Sequence, residues 1–520
     1  MGARILRLAG IGALLVLGVS ACDSSNLTTI NQDPNNPTSA PPGPVFTNAS
    51  RVAVSRWLGA GAMDLRGPGF TTQHLAEVQY PDEDAYRRLA AAFTDGDFIN
   101  SYSAELKNFQ SVVDVGRTGD QPLLWGPAVV MRSLVFGHIT DVWGDVPYSQ
   151  ALQGNNPTAV ISPAYDRQQD IYAALFQALD SATTAMAAPP AGATKLGAAD
   201  PFYAGNALKW QKFANSLRAR LAMRLVNVDP AAAQAQLLAA IAAPGGLFTS
   251  NADNARFPWP GDGVYDNPWA VNFRTRDDHR MSQTLMNQMV PVNDPRVPIY
   301  AQPTVANPNA YAGMPNALTQ SGASAYFNIS SRPGQVFYGA TVYSCPGCVT
   351  RTGPTFPSFV MTYADVSFIL AEAAERGWSV GGTAAAFYDK GIRASMAQWG
   401  VSDTAANRFA TDAAIVYAGG TPGLRQIAQQ RWIGLYTDGV EAWAEWRRTC
   451  IPATVKPGPD AIEDFVPRRY QYSVREMSVN RANVEAAIAV QGPDAFSTRM
   501  YWDKSPAAAP TYPGATCGQR

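Results

Sequence analysis

Residues 206–227 (NALKWQKFANSLRARLAMRLVN) place Trp210, Phe213, Leu217, Leu221 and Leu225 three or four positions apart. That is the period of one face of an α-helix. Lys209, Lys212, Arg218, Arg220 and Arg224 fall mostly on the other faces, as expected of an amphipathic helix with a solvated side. Similar patterns occupy residues 99–116, 122–140, 165–187, 231–243, 359–376, 383–398 and 422–447. Short turns such as VNVDPA (226–231) and GWSVGG (377–382) join neighbours, which predicts antiparallel helix pairs. A series of such pairs reads as a mainly α, tetratricopeptide-like array, although no repeat signature is present. Trp432, Trp443 and Trp446 lie at helical spacing and are expected in the core.

Residues 244–358 break the pattern. They are rich in Pro, Gly, Asn and aromatics and mostly lack helical period, so few short strands and much irregular chain are expected there. A long irregular insertion in a compact protein usually carries function.

The first residues set the address. Arg4 and Arg7 precede an apolar run at 8–19, and Ser20-Ala21-Cys22 follows. This is the pattern of a secretory leader, too short to span a bilayer. Val19-Ser20-Ala21-Cys22 further resembles the lipobox of bacterial lipoproteins, so Cys22 is expected to be acylated and to become the first mature residue. The expected organisation is a leader at 1–21, a lipid-anchored Ser/Asn/Pro-rich tether at 22–45 and a single helical-repeat domain at 46–520. Four cysteines remain, and four permit three connectivities. A turn-closing Cys345–Cys348 pair is expected, which leaves Cys450 for Cys517.

Several function classes fall away. The formal net charge is −1, and removing Arg4 and Arg7 with the leader leaves −3, without basic runs, which argues against nucleic acid. No phosphate-cradling loop, dinucleotide fingerprint, zinc-protease motif or calcium loop occurs. His74, His138 and His279 are the only histidines, and none is spaced as a ligand to the thiols, so neither a metal nor a cofactor is expected. Gly377-Trp378-Ser379-Val380-Gly381 fits the nucleophile-elbow spacing. However, a helix precedes it and no histidine follows, so it reads as a helix–helix turn. Asp141 and Asp145 in TDVWGDVPYS have the residue types of a glycosidase pair, but read better as turn and cap residues. No enzyme is expected.

Aromatics in the irregular regions lie among polar residues: Tyr80, Tyr86, Trp259, Tyr265 and Trp269 beside Arg66, Asp82, Asp84, Asp266 and Asn267. An aromatic face with donors and acceptors at its rim suits a sugar ring. Arg66, Tyr80, Asp82, Tyr86, Trp259, Tyr265, Asn267 and Trp269 are therefore the candidate ligand residues.

Six blocks together resemble the SusD/RagB family: HITDVWGDVPYSQAL (138–152), SPAYDRQQDIYAALFQALDSA (162–182), WQKFANSLRARLAMR (210–224), TYADVSFILAEAAERGW (362–378), QRWIGLYTDGVEAWAEWRRT (430–449) and NRANVEAAI (480–488). NQDPNNPT (31–38) is similar to the family's tether. The resemblance implies a SusD-like fold of tetratricopeptide-like pairs, with the insertion forming much of the ligand face. It implies an outer-membrane lipoprotein at the cell surface. Such a protein binds oligosaccharides and delivers them to a partner TonB-dependent (SusC-like) β-barrel transporter, without hydrolysing them. Alternatives are a peptide-binding member of the same family and a lipid-anchored glycosidase or esterase.

Overall fold

The structure, a computed structural model, describes residues 40–59, 61, 63–154, 159–338, 353–504 and 517–519. The leader, Cys22 and the Cys345–Cys348 pair lie outside the described residues.

Helix α1 (Pro42–Trp57) starts a little inside the expected tether. Pro42 fits a first-turn position, where no intrahelical N–H partner is needed. The helical body continues through α2 (Lys107–Thr118), α3 (Pro122–Trp143), α4 (Gln168–Ala187), α5 (Ala207–Arg224) and α6 (Pro230–Ala242). Each packs against the next in sequence. After the insertion come α7 (Tyr363–Glu375), α8 (Ala384–Gln398), α9 (Gly420–Gly434) and α10 (Gly439–Thr449), with α7 against α8, α9 and α5.

Local chemistry sets the boundaries. Asn206 caps α5 by accepting from the Lys209 N–H at 3.1 Å, and Asp229 caps α6 by accepting from Ala232 at 3.0 Å with Pro230 behind it. The apolar run at 422–447 is two helices rather than one. Thr437 takes a positive φ of 77°, and Asp438 starts α10 by capping the Glu441 N–H at 3.2 Å. Residues 358–361 form a strand instead of the start of α7, whose cap is Thr362. Gly377 and Gly381, at φ of 81° and 82°, turn the chain from α7 into α8. Ser379 sits exposed in that turn with no strand before it, so the elbow geometry is not present.

Helix α3 is long and apolar enough to cross a membrane, but 89% of its most apolar window is buried inside the protein, so it is the central core helix. The solvated face expected of α5 is a larger departure. Arg218, Arg220 and Arg224 are all buried. Arg220 Nε donates to Asp365 Oδ2 of α7 at 2.8 Å, and Arg224 Nη2 to Glu441 Oε2 of α10 at 2.6 Å. Arg431 of α9 donates to the other oxygen of Asp365 at 2.7 Å and to Glu441 at 3.2 Å. Arg448 holds Glu372 and Glu445 at 2.6 and 2.7 Å. Four helices are thus joined through one buried ion-pair network. Trp432, Trp443 and Trp446 are fully buried in the core beside it.

Asp141 belongs to the same interior. It accepts from Tyr172 at 2.6 Å and Trp502 at 2.8 Å, and pairs with Arg224 at 3.1 Å. Asp145 Oδ1 accepts from the Gln168 N–H at 2.8 Å, at the start of α4. Both acids are structural.

The insertion carries short helices and two of the short strands, and a third starts at its end. Strand β1 (Leu75–Glu77) pairs antiparallel with β5 (His279–Met281), linking the N-terminal segment to the insertion. Strands β2 (Val146–Pro147) and β3 (Tyr165–Asp166) form a second pair. Strand β4 (Ala255–Phe257) pairs with β6 (Ser358–Met361) and closes the insertion at its base. A disulfide joins Cys450, just after α10, to Cys517.

Candidate functional site

The turn after β4 is held by its own acids. Asp262 Oδ1 accepts from the Val264 and Tyr265 N–H groups at 2.9 and 2.8 Å, and Asp266 accepts from Gly263 at 2.9 Å. These bonds hold the Asp262 carboxylate below the usual range. They also fix Tyr265 at the surface, where 44% of it is exposed. Asn267 then caps the short helix Pro268–Phe273, accepting from the Trp269 N–H at 2.8 Å.

Tyr265 faces α1 across a trough of about 460 Å³, lined by Arg51, Arg56, Asp97, Trp259, Val264 and Asp266 among others. The Arg51 guanidinium lies 4.8 Å from the Tyr265 ring centre. Trp259 contributes an edge only. It is 5% exposed, packs on Phe257 at 4.8 Å and donates its indole N–H to Ser358 at 3.0 Å. A second hollow of about 230 Å³, lined by Arg66, Glu83, Arg88 and Phe93, shares Gly61 and Asp97 with the first, so the two adjoin and together make up the trough.

Its charges are paired in place. Arg66 grips Glu83 with two of its nitrogens, Arg56 holds Asp97 and Glu105, and Asp266 takes Arg274. Asp82 pairs with Arg88 at 2.8 Å, orienting a wall residue without lining the trough itself. Burial pushes the Glu105 carboxyl up to about 7 despite Arg56. The result is an aromatic and apolar surface rimmed by fixed guanidinium and carboxylate groups, able to stack a ring and to bond hydroxyls at its edge.

The structure therefore brings Arg66, Trp259 and Tyr265 together and places Asp82 one residue behind them. It separates the rest. Tyr80 is 49% exposed beside Arg276, whose guanidinium lies 5.4 Å from the ring, and it does not line the trough. Tyr86, Asn267 and Trp269 are buried. Trp269 donates to Asp64 at 3.0 Å and lies against Phe337 and Tyr436, while Asn267 is spent on its cap. These three cannot meet a ligand without unpacking the fold. Arg51, Arg56, Asp97, Arg88 and Phe93 were not predicted: the arginine spacing of α1 reads as an ordinary solvated face. A further cavity of about 410 Å³, lined by Phe98, Tyr102, Lys107, Leu152 and Arg475 among others, receives no residue of the insertion among the described residues.

A family model described as starch-binding and associating with the outer membrane, SusD-like, matches residues 34–473. This chain belongs to the SusD-like family. Solved structures agree in fold and span. A SusD homologue from Bacteroides uniformis is 25% identical with a TM-score of 0.74, covering 89% of this chain and 99% of its own. A chitin-binding SusD homologue from Flavobacterium johnsoniae is 26% identical with a TM-score of 0.73, covering 89% and 98%. A chitin-binding protein is 27% identical with a TM-score of 0.73, covering 89% and 100%. No curated protein matches the chain.

Proposed function

We propose that this SusD-like protein is a lipid-anchored, surface-exposed glycan-binding protein that passes oligosaccharides to a TonB-dependent β-barrel transporter. The observation that carries this reading is the trough. The insertion supplies Tyr265 and Trp259, and α1 and the 61–97 segment supply fixed arginines and acids around them. Chitin-binding homologues of the same fold make chitin oligosaccharides the first ligands to try. Cys22 would anchor the protein, with the Asn/Pro-rich segment as its tether to the membrane; stable attachment needs two or more acyl chains.

Catalysis finds no support in the site. His74, His138 and His279 are all buried, and none lines the trough. The trough carboxylates Glu83, Asp97 and Asp266 are each tied to an arginine, which suits holding hydroxyls over moving protons.

The test is calorimetry and affinity electrophoresis of the purified protein against chitin, starch and other plant and microbial oligosaccharides, with peptides alongside. One glycan class should bind with micromolar affinity and lose at least about tenfold in Tyr265→Ala, which is about 1.4 kcal/mol. Peptide binding instead would move the substrate class within the family. Glycan binding unchanged in Tyr265→Ala and Arg66→Ala would remove the trough as the site.

A further inference from the structure

Behind the trough, Glu77 of β1 and His279 of β5 stand directly opposite each other in the strand ladder. His279 Nε2 lies 3.8 Å from Glu77 Oε2, and both side chains are fully buried. Neither Glu77 oxygen has a hydrogen-bond partner, and nor does His279 Nε2. Buried polar atoms are nearly always satisfied, and a buried carboxylate is paired or bound to metal. The other ring nitrogen is accounted for: His279 Nδ1 lies 3.1 Å from Asp278 Oδ1, and Asp278 Oδ2 accepts from Arg276 at 2.6 Å. That bond puts a proton on Nδ1 and leaves Nε2 aimed toward Glu77, the orientation a carboxylate gives a metal-bound histidine. Glu77, Asp278 and His279 each offer an atom within 4.8 Å of the others.

We propose that Glu77 and His279 Nε2 bind one divalent transition-metal ion of the zinc class, with Asp278 as the carboxylate that orients the imidazole. The charges call for a cation. Four carboxylates meet here, and Arg66 takes Glu83 while Arg276 takes Asp278. Glu77 and Asp84 have no arginine or lysine at ion-pair distance among the described residues; Asp84 accepts only backbone N–H groups, such as that of Glu77 at 3.0 Å. An imidazole nitrogen with carboxylates selects zinc or manganese, whereas calcium takes oxygen ligands. Each ligand sits ~2.0–2.2 Å from zinc, so two ligands of one ion lie within about 4.4 Å, which the Glu77–His279 separation meets. The ion clamps β1 to β5, and so the N-terminal segment to the insertion, directly beneath the Arg66–Glu83 pair of the trough. The spacing of His279 from the cysteines could not reveal this set, because its partner Glu77 is some 200 residues away.

The test is elemental analysis of the full chain, purified without chelators or metal-charged resin, followed by chelator stripping and separate titration with Zn²⁺, Mn²⁺ and Ca²⁺ while melting is followed. About one zinc or manganese per chain is expected. Stripping should lower the melting temperature by on the order of 3 °C, restored by Zn²⁺ at a hundredfold excess over Kd. Glu77→Gln should bind Zn²⁺ at least tenfold more weakly and melt independently of it; Asp278→Asn serves if that variant does not fold. No metal in the purified protein and no melting shift with any ion would overturn the proposal and identify Glu77 as a permanently neutral carboxyl. Zn²⁺ binding unchanged in Glu77→Gln would place the ion elsewhere and overturn it equally.

Discussion

Asp365 accepts from Arg220 at 2.8 Å and from Arg431 at 2.7 Å, one through each carboxylate oxygen, and all three side chains are at most 2% exposed. Asp365→Asn keeps the shape of the side chain and removes its charge. One amide oxygen can still accept, but the amide NH₂ then faces a guanidinium that can only donate. Two buried cations lose their shared anion. Arg220 keeps a 3.4 Å bond to the Val360 carbonyl, with Asp438 and Glu441 at 3.7 Å, beyond hydrogen-bond reach. Breaking a buried pair from one side costs about 3–5 kcal/mol, because the remaining charge stays desolvated. With an unfolding entropy of roughly 1 kcal/mol per kelvin for a chain this long, the melting temperature should fall by about 3–5 °C. Urea unfolding followed by tryptophan fluorescence measures the same loss. Arg481→Gln is the control in that assay. Its pair with Glu485 is 65% and 56% exposed, and its loss should stay below about 0.5 kcal/mol. If Asp365→Asn also cost less than about 1 kcal/mol, water would be reaching the network and the account of the core given above would fail.

Other expected outcomes are equally specific. Replacing Cys450 and Cys517 by Ser opens a loop spanning 67 residues and should cost about 4 kcal/mol, read as a shift in the urea midpoint that dithiothreitol reproduces in the parent protein. Burial holds His74 and His138 down at about 3, against 6.5 for a free imidazole. The unfolded chain therefore takes up protons below pH 6.5 that the folded chain refuses, and stability drains as pH falls from 6.5 towards 3. Both His138 ring nitrogens lack partners, so His138→Leu should flatten the slope of stability against pH by about 1.4 kcal/mol per unit between pH 6 and 4; an unchanged slope would mean that the ring is protonated in the fold. Trp269→Ala should destabilise by about 3–5 kcal/mol, whereas Tyr265→Ala should weaken glycan binding at least about tenfold at an unchanged melting temperature. A Trp269 variant that melted normally and lost only binding would reverse the assignment of the two rings.

The helical body was legible because its code is local. Most of its helices announce themselves through a three-to-four residue apolar period, and several add a cap such as Asn206, Asp229 or Thr362, which acts within one turn of chain; α1 was not among them. The same reasoning failed on α5 for an instructive reason. Arg220 and Arg224 look like a solvated face until α7 and α10 arrive with Asp365 and Glu441, residues that periodicity alone assigns to other helices. Charge on a helix reads as solvent exposure only while its partners are unknown. The break at Leu435–Asp438 was missed similarly, since apolar spacing carries on across a turn that the positive φ of Thr437 and the Asp438 cap create.

The site was half legible, and the halves divide by what fixes each residue. Tyr265 was legible as a displayed ring because its loop supplies its own scaffold: Asp262 and Asp266 lie within four residues and hold the ring outward. Trp269, four residues further on, has the same composition around it, but Asn267 turns the chain into a helix that carries its ring onto Phe337 and Tyr436. A local reading cannot tell a displayed aromatic from an anchoring one when a single cap decides between them. The opposite wall shows the converse. Arg51, Arg56 and Asp97 carry no signal of their own, and become a wall of the trough only because α1 and the 91–100 helix pass in front of the insertion. If the trough takes the glycan as proposed, its specificity rests on pairs of residues from different segments, Tyr265 with Arg51 and Arg66 with Glu83. Changes in the insertion can then retune the ligand while the helical body, held by its buried arginines, stays as it is.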